Sequence, residues 1–262
     1  MSTSSSSSPV LIVEGLVKEF PGGVRALRGI SFQVRRGEIF GLLGPNGAGK
    51  TTTFRIIATL LHPTEGRVIV DGVEVSREPL EARKRLVYVP EEVGGYRRLT
   101  GMEYLRFVIE TYLSAIGRLG EAEEVLEEAA RLTGLPRETL ERKRMGDYSK
   151  GMKRRVQVAW ALAVKPRLAI LDEPTSGLDV EASYDLRRTI AEYAKRHGVT
   201  VLLSSHNMLE VQHLCDRIAL IRSGVIIEEG TPEEVIEKYN AKDLEEAYMR
   251  AIESMRERGE VA

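Results

Sequence analysis

The sequence predicts an α/β fold with a mostly parallel sheet, an N-terminal antiparallel β subdomain and an inserted helical subdomain. Apolar runs with the length and composition of strands covered on both faces lie at residues 39–43, 168–171, 199–203 and 218–221. Helix-compatible segments separate these runs, and this alternation is typical of parallel strands. Between about residues 91 and 153, apolar residues such as Leu105, Ile109 and Tyr112 recur at helical spacing. That segment is therefore the predicted helical insertion.

The N-terminal part of the chain predicts a tail followed by antiparallel strands. Residues 1–9 are nearly all serine, without the basic flank or apolar stretch of a secretory signal, so we expect a disordered tail. Residues 10–34 contain short runs that alternate between apolar and polar side chains, and Pro21-Gly22-Gly23 marks a turn. These runs are the predicted antiparallel subdomain.

The last segment, residues 230–262, is predicted to be a C-terminal helical extension. One face of this helix is apolar and consists of Leu244, Ala247, Tyr248, Ala251, Ile252 and Met255. An apolar face of this kind has to be covered. The sequence does not rank the protein's own core, a second protomer and a regulator as possible covers.

Composition places the chain among soluble globular proteins. Its 262 residues hold 38 Lys plus Arg and 39 Asp plus Glu, so a nucleic-acid partner is not expected. No apolar stretch approaches the roughly 20 residues that cross a bilayer. Cys215 is the only cysteine and the four histidines are scattered, so we expect no intrachain disulfide, no structural metal and a cytoplasmic location.

A glycine-rich loop after the first buried strand carries the strongest functional signal. It fits the pattern G-x-x-x-x-G-K-[ST] and predicts a P-loop NTPase core that binds ATP and Mg²⁺. Its inward-turned backbone N–H groups and the following helix N-terminus attract phosphate, Lys50 adds a charge for the β and γ phosphates, and the Thr51 hydroxyl is suited to Mg²⁺. The predicted nucleotide-binding residues are Gly44, Pro45, Asn46, Gly47, Ala48, Gly49, Lys50, Thr51 and Thr52.

Two carboxylates end the buried strand at residues 168–171. Ligands of parallel α/β sheets gather at the carboxyl ends of strands, so we expect Asp172 beside the loop, where it helps to hold Mg²⁺ through water. Glu173 is then placed to accept a proton from water near the γ-phosphate. It is the candidate general base.

Tyr148-Ser149-Lys150-Gly151-Met152 and Ser176-Gly177-Leu178-Asp179 lie on either side of the Asp172-Glu173 pair. With these segments, residues 10–229 resemble the ATP-binding subunits of ABC transporters. The resemblance implies a head-to-tail dimer in which Ser149 and Gly151 contact the γ-phosphate held by the partner subunit, while Asp179 links the two active sites. A serine at a helix N-terminus is also a common cap without any ligand.

Two departures from the common family pattern resemble the ABC-2 type exporter branch, which serves multidrug, sodium and polysaccharide export. One is the signature Tyr-Ser-Lys-Gly-Met, where Leu-Ser-Gly-Gly-Gln is commonest. The other is Glu91, at the place of a glutamine that senses Mg²⁺ or the attacking water and faces the membrane partner. The Glu91 carboxylate can ligate a cation or accept from water, although it cannot donate as an amide does.

The resemblance assigns two more residues. His206 matches the family's switch histidine, which contacts the γ-phosphate and Glu173, and imidazole can donate to phosphate. Phe20 matches the aromatic residue on which adenine stacks, for which only a π face is needed. A strand aromatic that packs in the core would show the same pattern.

The resemblance as a whole implies an ATP-hydrolysing subunit of an exporter, peripheral on the cytoplasmic face of the membrane, that drives separate integral membrane subunits. Three alternatives stay open. They are a soluble ABC ATPase such as an iron–sulfur assembly component, a nucleotide-binding regulator without turnover, and an importer subunit. The membrane subunits would choose the transported substrate, so this sequence does not predict it.

Overall fold

The computed structural model describes residues 8–92, 94 and 96–257, which contain two β-sheets and ten α-helices. The strands are β1 (Pro9–Phe20), β2 (Val24–Arg35), β3 (Ile39–Leu43), β4 (Glu65–Val70), β5 (Val73–Glu74), β6 (Leu86–Val89), β7 (Leu168–Leu171), β8 (Val201–Ser205), β9 (Arg217–Arg222) and β10 (Val225–Gly230). The helices are α1 (Lys50–Ile57), α2 (Pro79–Arg83), α3 (Gly101–Ala115), α4 (Ala122–Leu132), α5 (Arg137–Arg142), α6 (Lys150–Ala163), α7 (Val180–His197), α8 (Met208–Val211), α9 (Pro232–Lys238) and α10 (Leu244–Glu257). Residues 1–7 of the predicted tail lie outside the described residues, and Pro9 already belongs to β1.

The larger sheet has the strand order β10-β9-β3-β8-β7-β6, and all its neighbours are parallel except β10 and β9. The smaller sheet has the order β2-β1-β4-β5 and is antiparallel in each pair. Both predictions, a mostly parallel sheet and an N-terminal antiparallel subdomain, are confirmed.

The strand β3 shows why its sequence is apolar at every position. Phe40 and Leu42 belong to a core cluster shared with the smaller sheet and α1, and the Phe40 ring stacks on Phe32 of β2 with centroids 5.5 Å apart. Ile39 and Leu43 belong to the cluster on the opposite face, among the helices. Successive side chains of a strand point to opposite faces, so a strand between two cores must be apolar throughout.

The segment predicted to be the helical insertion contains α3, α4, α5 and the start of α6. Thr100 opens α3 with a capping box, since its hydroxyl accepts from the Glu103 backbone N–H and the Glu103 carboxylate accepts from the Thr100 N–H. Leu105 and Ile109 are fully buried on the inner face of α3. The predicted boundary near residue 153 stays a prediction, because α6 continues without a break to Ala163.

The C-terminal helix α10 packs on the protein's own core. Leu244, Ala247 and Ala251 have no exposed surface, and α10 contacts α8, α9 and β10. Of the three possibilities that the sequence left open for covering the apolar face of α10, the structure therefore shows packing on the chain's own core. None of the described helices has the length and apolar character to cross a membrane.

Candidate active site

The glycine-rich loop connects the end of β3 to α1. A Cβ on Gly44 would lie 2.1 Å from the Ile221 carbonyl oxygen, so only glycine lets the loop leave the sheet along this path. Gly49 has φ +112, and a Cβ there would lie 2.8 Å from the Ala26 carbonyl oxygen. These two positions fix a loop whose backbone curls ahead of the α1 N-terminus, as a phosphate site requires.

A cleft of about 240 Å³ opens above this loop. Gly44 and Ala48 of the predicted set are buried and do not line it. The cleft brings together the loop with two of the predicted catalytic carboxylates, and its lining is Ala26, Pro45, Asn46, Gly47, Gly49, Lys50, Thr51, Thr52, Glu91 and Glu173.

Glu173 lies between the two basic groups that the sequence assigned to phosphate. Lys50 Nζ is 3.1 Å from Glu173 Oε1, and His206 Nδ1 is 2.9 Å from Glu173 Oε2. Lys50 and Glu173 are buried, whereas 47% of the His206 side chain is exposed. Lys50 also donates to the carbonyl oxygens of Gly44 at 2.6 Å and Pro45 at 3.2 Å. The three side chains predicted to act on the γ-phosphate and water therefore meet in one place.

Asp172 has no exposed surface and is held by two residues that the sequence reasoning missed. Its Oδ1 accepts from the Ser204 hydroxyl at 2.6 Å and its Oδ2 accepts from the Tyr88 hydroxyl at 3.1 Å. Burial and the Asp172 charge raise the pKa of Tyr88, which keeps this hydroxyl a donor. Both residues lie near the carboxyl ends of strands that flank β7, and that position is the signal that points to them.

The backbone of Glu173 is in the left-handed region, with φ +47. A non-glycine residue there is strained by about 1–3 kcal/mol and persists only when its surroundings hold it. Ser204 supplies part of that support, because its Oγ accepts from the Glu173 N–H at 2.9 Å. Ser204 thus fixes the two predicted acidic groups at once.

Glu91 lies at the edge of the same cleft. Its Oε1 accepts from the Ser176 hydroxyl at 3.4 Å, and its backbone carbonyl accepts from the guanidinium of Arg154 on α6. Arg154 was also missed from the sequence, because nothing in a basic run such as Lys153-Arg154-Arg155 distinguishes the buried member.

The three residues predicted to act across a dimer lie outside the cleft lining. Ser149 caps α6 by accepting from the Met152 N–H at 3.2 Å, and Asp179 caps α7 by accepting from the Ala182 N–H at 2.8 Å. A Cβ on Gly151 would meet its first neighbour, Leu178 Cδ2, at an ordinary 3.7 Å. The chain's own packing therefore does not require glycine at position 151.

Phe20 ends β1 and is only partly buried. Its ring lies 5.3 Å from Lys18 Nζ and does not line the cleft above the loop. The stacking of adenine on Phe20 stays a prediction.

Among the described residues, no three His, Cys, Asp or Glu side chains converge as a metal site. A cation at the cleft would therefore take most of its ligands from a nucleotide, water and the Thr51 hydroxyl. The site suits such a cation, since Thr51 and Glu91 line the cleft and the buried Asp172 carboxylate, next to Glu173 in the chain, keeps lone pairs that suit cation-bound water.

Comparisons with known proteins agree with this geometry. The family model for ABC transporters matches residues 27–176. The ABC transporter ATP-binding protein NatA of Bacillus subtilis (strain 168) is 39% identical over 230 residues, 87% of this chain and 91% of NatA. The lipopolysaccharide export system ATP-binding protein LptB of Escherichia coli (strain K12) is 36% identical over 236 residues, 88% of this chain and 95% of LptB. A solved ATP-binding subunit of an ABC transporter superposes with a TM-score of 0.81 at 30% identity, covering 93% of this chain and 99% of its own. The chain belongs to the ABC transporter family.

Proposed function

We propose that this chain is the ATP-binding and ATP-hydrolysing subunit of an ABC exporter, working as a head-to-tail dimer that drives separate integral membrane subunits. The observation that carries the proposal is Glu173, a buried carboxylate held between Lys50 and His206 at the phosphate loop. A carboxylate in this position suits proton abstraction from water, and the loop and Lys50 suit the charge of a triphosphate.

Each of these three residues has a distinct role in the proposed reaction. Lys50 binds the phosphates, and its contacts with the Gly44 and Pro45 carbonyls hold the ammonium group over the loop. Glu173 accepts the proton of the attacking water. His206 orients the Glu173 carboxylate and, with its exposed imidazole, donates to phosphate. The strain at Glu173 and its support from Ser204 fix the direction of the carboxylate before water binds.

Magnesium is part of the proposal, with Thr51, Glu91 and Asp172 as the residues around it. When bound, Mg²⁺ would neutralise phosphate charge and orient the transferring group. Asp172 fits an outer role, because both of its oxygens already accept from protein hydroxyls and their remaining lone pairs suit cation-bound water.

The proposed dimer is supported by Ser149, Gly151 and Asp179. All three lie at or near helix N-termini, whose N–H groups attract phosphate. Glycine in the first turn of α6 is unfavourable for the helix by up to about 1 kcal/mol relative to alanine, and local packing gives no reason for it. Close approach of a partner's nucleotide to Gly151 supplies a reason.

The proposed contact with a membrane subunit uses an apolar groove of about 570 Å³ between α2 and α3, lined in part by Leu80, Phe107, Tyr112 and Trp160. Leu80 is 69% and Phe107 46% exposed. The Phe107 ring meets Tyr96 edge to face at 5.2 Å, and Tyr96 lies five residues after Glu91 in the chain. An occupant of the groove would therefore contact Phe107, and Phe107 in turn contacts Tyr96, close in sequence to Glu91 at the active site.

The choice of export rests on the Tyr-Ser-Lys-Gly-Met signature, on Glu91 and on the similarity to LptB. The proposed location is the cytoplasmic face of the membrane. Capture of the chain from its native membrane should recover an integral membrane protein, and Phe107→Asp should lose that protein while retaining ATP hydrolysis. Leu119→Asp, at an exposed apolar residue outside the groove, is the matched control. Recovery of a soluble scaffold complex instead would favour the iron–sulfur assembly alternative.

The dimer and the base are tested together with Glu173→Gln. This variant should bind ATP, hydrolyse it at least about a hundredfold more slowly and accumulate as an ATP-bound dimer, because the amide cannot take the proton. Native mass spectrometry measures the dimer and phosphate release measures the rate. A Glu173→Gln protein with unchanged turnover would show that Glu173 is not the base.

A further inference from the structure

Backbone carbonyls of Pro90, Glu91 and Gly94 accept hydrogen bonds from side chains of α6. Arg154 Nη1 donates to the Pro90 oxygen at 2.7 Å, and Arg154 Nη2 donates to the Glu91 oxygen. One turn further along the same helix, Gln157 Nε2 donates to the Gly94 oxygen at 3.0 Å. Two side chains of one helix face thus hold these three carbonyls.

Arg154 is an unusual residue to find in this place, because its side chain has no exposed surface. Burial lowers the pKa of the guanidinium, while the negative charges of Asp172, Glu91 and Glu173 act in the opposite direction. Placing a cation in a protein interior is unfavourable by several kcal/mol unless it is paired and hydrogen-bonded. A buried arginine is therefore expected where its hydrogen bonds have a function that an apolar side chain could not provide.

The position of Arg154 between the N-terminus of α6 and Glu91 indicates such a function. Arg154 lies five residues after Ser149 in the helix that begins at Lys150, so its position follows any movement of the α6 N-terminus. At its other end it holds Glu91, whose carboxylate reaches Ser176 and lines the cleft. The guanidinium donates through a rigid planar fork, which transmits displacement better than a single flexible donor.

We propose that Arg154 and Gln157 are positioning residues, which couple Glu91 to α6 through hydrogen bonds to the backbone. When Ser149 and Gly151 bind the nucleotide held by the partner subunit, the resulting position of α6 determines the position of Glu91 in the cleft. This inference rests on the proposed ATP hydrolysis by a dimer. Neither residue lines the cleft, and both act through the backbone carbonyls of Pro90, Glu91 and Gly94.

The test uses the full-length chain with Arg154→Met, Arg154→Lys and Gln157→Leu. Methionine keeps much of the buried apolar volume and removes both donors, so we expect kcat to fall about tenfold to hundredfold, as for other misplaced catalytic groups. Nucleotide affinity should stay within about twofold, because the phosphate loop is untouched, and more Mg²⁺ should be needed for half-maximal rate. Lysine should recover part of kcat, because one ammonium group replaces one of the two carbonyl contacts.

Arg118→Met is the matched control. Arg118 also donates to a backbone carbonyl, that of Val164 at 3.3 Å, whereas the described carbonyls of Pro90, Glu91 and Gly94 accept from Arg154 and Gln157. Its substitution should leave kcat and the Mg²⁺ dependence unchanged. Thermal unfolding of every variant separates loss of fold from loss of position, and Gln157→Leu carries the test if Arg154→Met does not fold.

The outcomes distinguish this inference from the function on which it rests. If the unsubstituted chain hydrolyses ATP and the folded Arg154 or Gln157 variants match its kcat and Mg²⁺ dependence, the positioning role is wrong and the proposed ATPase stands. If the unsubstituted chain does not hydrolyse ATP, the proposed function itself fails.

Discussion

Replacing Ser204 by alanine tests how β8 holds the two acidic residues at the end of β7. The buried Ser204 hydroxyl donates to Asp172 Oδ1 at 2.6 Å and accepts from the Glu173 N–H at 2.9 Å. Ser204→Ala therefore removes one partner from a buried carboxylate and the partner of a buried, strained backbone amide at once.

The expected loss follows from those two bonds. A hydrogen bond to a charged group contributes about 1.5–3 kcal/mol, and a buried amide left without its partner costs about 1–3 kcal/mol. Tyr88 still donates to Asp172, and the two losses share one atom, so we expect the free energy of unfolding to fall by about 3 kcal/mol. ATP hydrolysis should slow as well, because the Glu173 backbone loses a support.

Urea denaturation followed by circular dichroism measures the loss, with Ser205→Ala as the control. Ser205 is the next residue of β8 and is also buried, but among the described residues its hydroxyl bonds to the backbone of Asn207 alone, at 3.2 and 3.0 Å. That variant should lose about 1 kcal/mol. If Ser204→Ala loses no more than Ser205→Ala, the reasoning about the shared hydroxyl is refuted.

Two further predictions concern the loop and the last helix. Gly44→Ala puts a Cβ 2.1 Å from the Ile221 oxygen, so calorimetry should show that the free energy of unfolding falls by about 1–3 kcal/mol. ATP binding should be lost as well, and an unchanged melting temperature would contradict this prediction. Hydrogen bonds from the Lys242 N–H and Arg250 hold the pKa of Glu246 below its usual value. The resulting stabilisation is present above the unfolded pKa and is lost as pH falls through the folded one. An NMR titration that places the Glu246 pKa at or above its usual value would contradict that expectation.

Much of the architecture is readable from local sequence. The run Ile39–Leu43 is apolar at each position because it lies between two cores, and the glycines after it are required at Gly44 and Gly49 by close backbone approach and by positive φ. The residues that meet in the cleft follow from the rule that ligands gather at carboxyl ends of parallel strands. Glu173 and His206, 33 positions apart, accordingly lie in hydrogen-bond contact.

The partners that hold these groups are not readable in the same way. The position of Tyr88 near a strand end indicates the edge of the sheet at which it lies, but not that Asp172, 84 residues away, is its partner. Arg154 contacts the Glu91 backbone across 63 residues, and its neighbours in sequence give no sign of that contact. The elements against which α10 packs also depend on tertiary structure. An amphipathic pattern indicates that one face of a helix is buried, but it does not identify the surface that buries it. Contacts between subunits have the same limitation, since single-chain capping already satisfies Ser149 and Asp179.

The affinity of the purified chain for ATP in the presence of Mg²⁺ tests the central claim most directly. Isothermal titration should give a micromolar to millimolar dissociation constant that weakens at least about tenfold in Lys50→Ala, because the ammonium group held at Gly44 and Pro45 is lost. No measurable binding by the unsubstituted chain, or equal binding by Lys50→Ala, would contradict the assignment of this loop as the phosphate site.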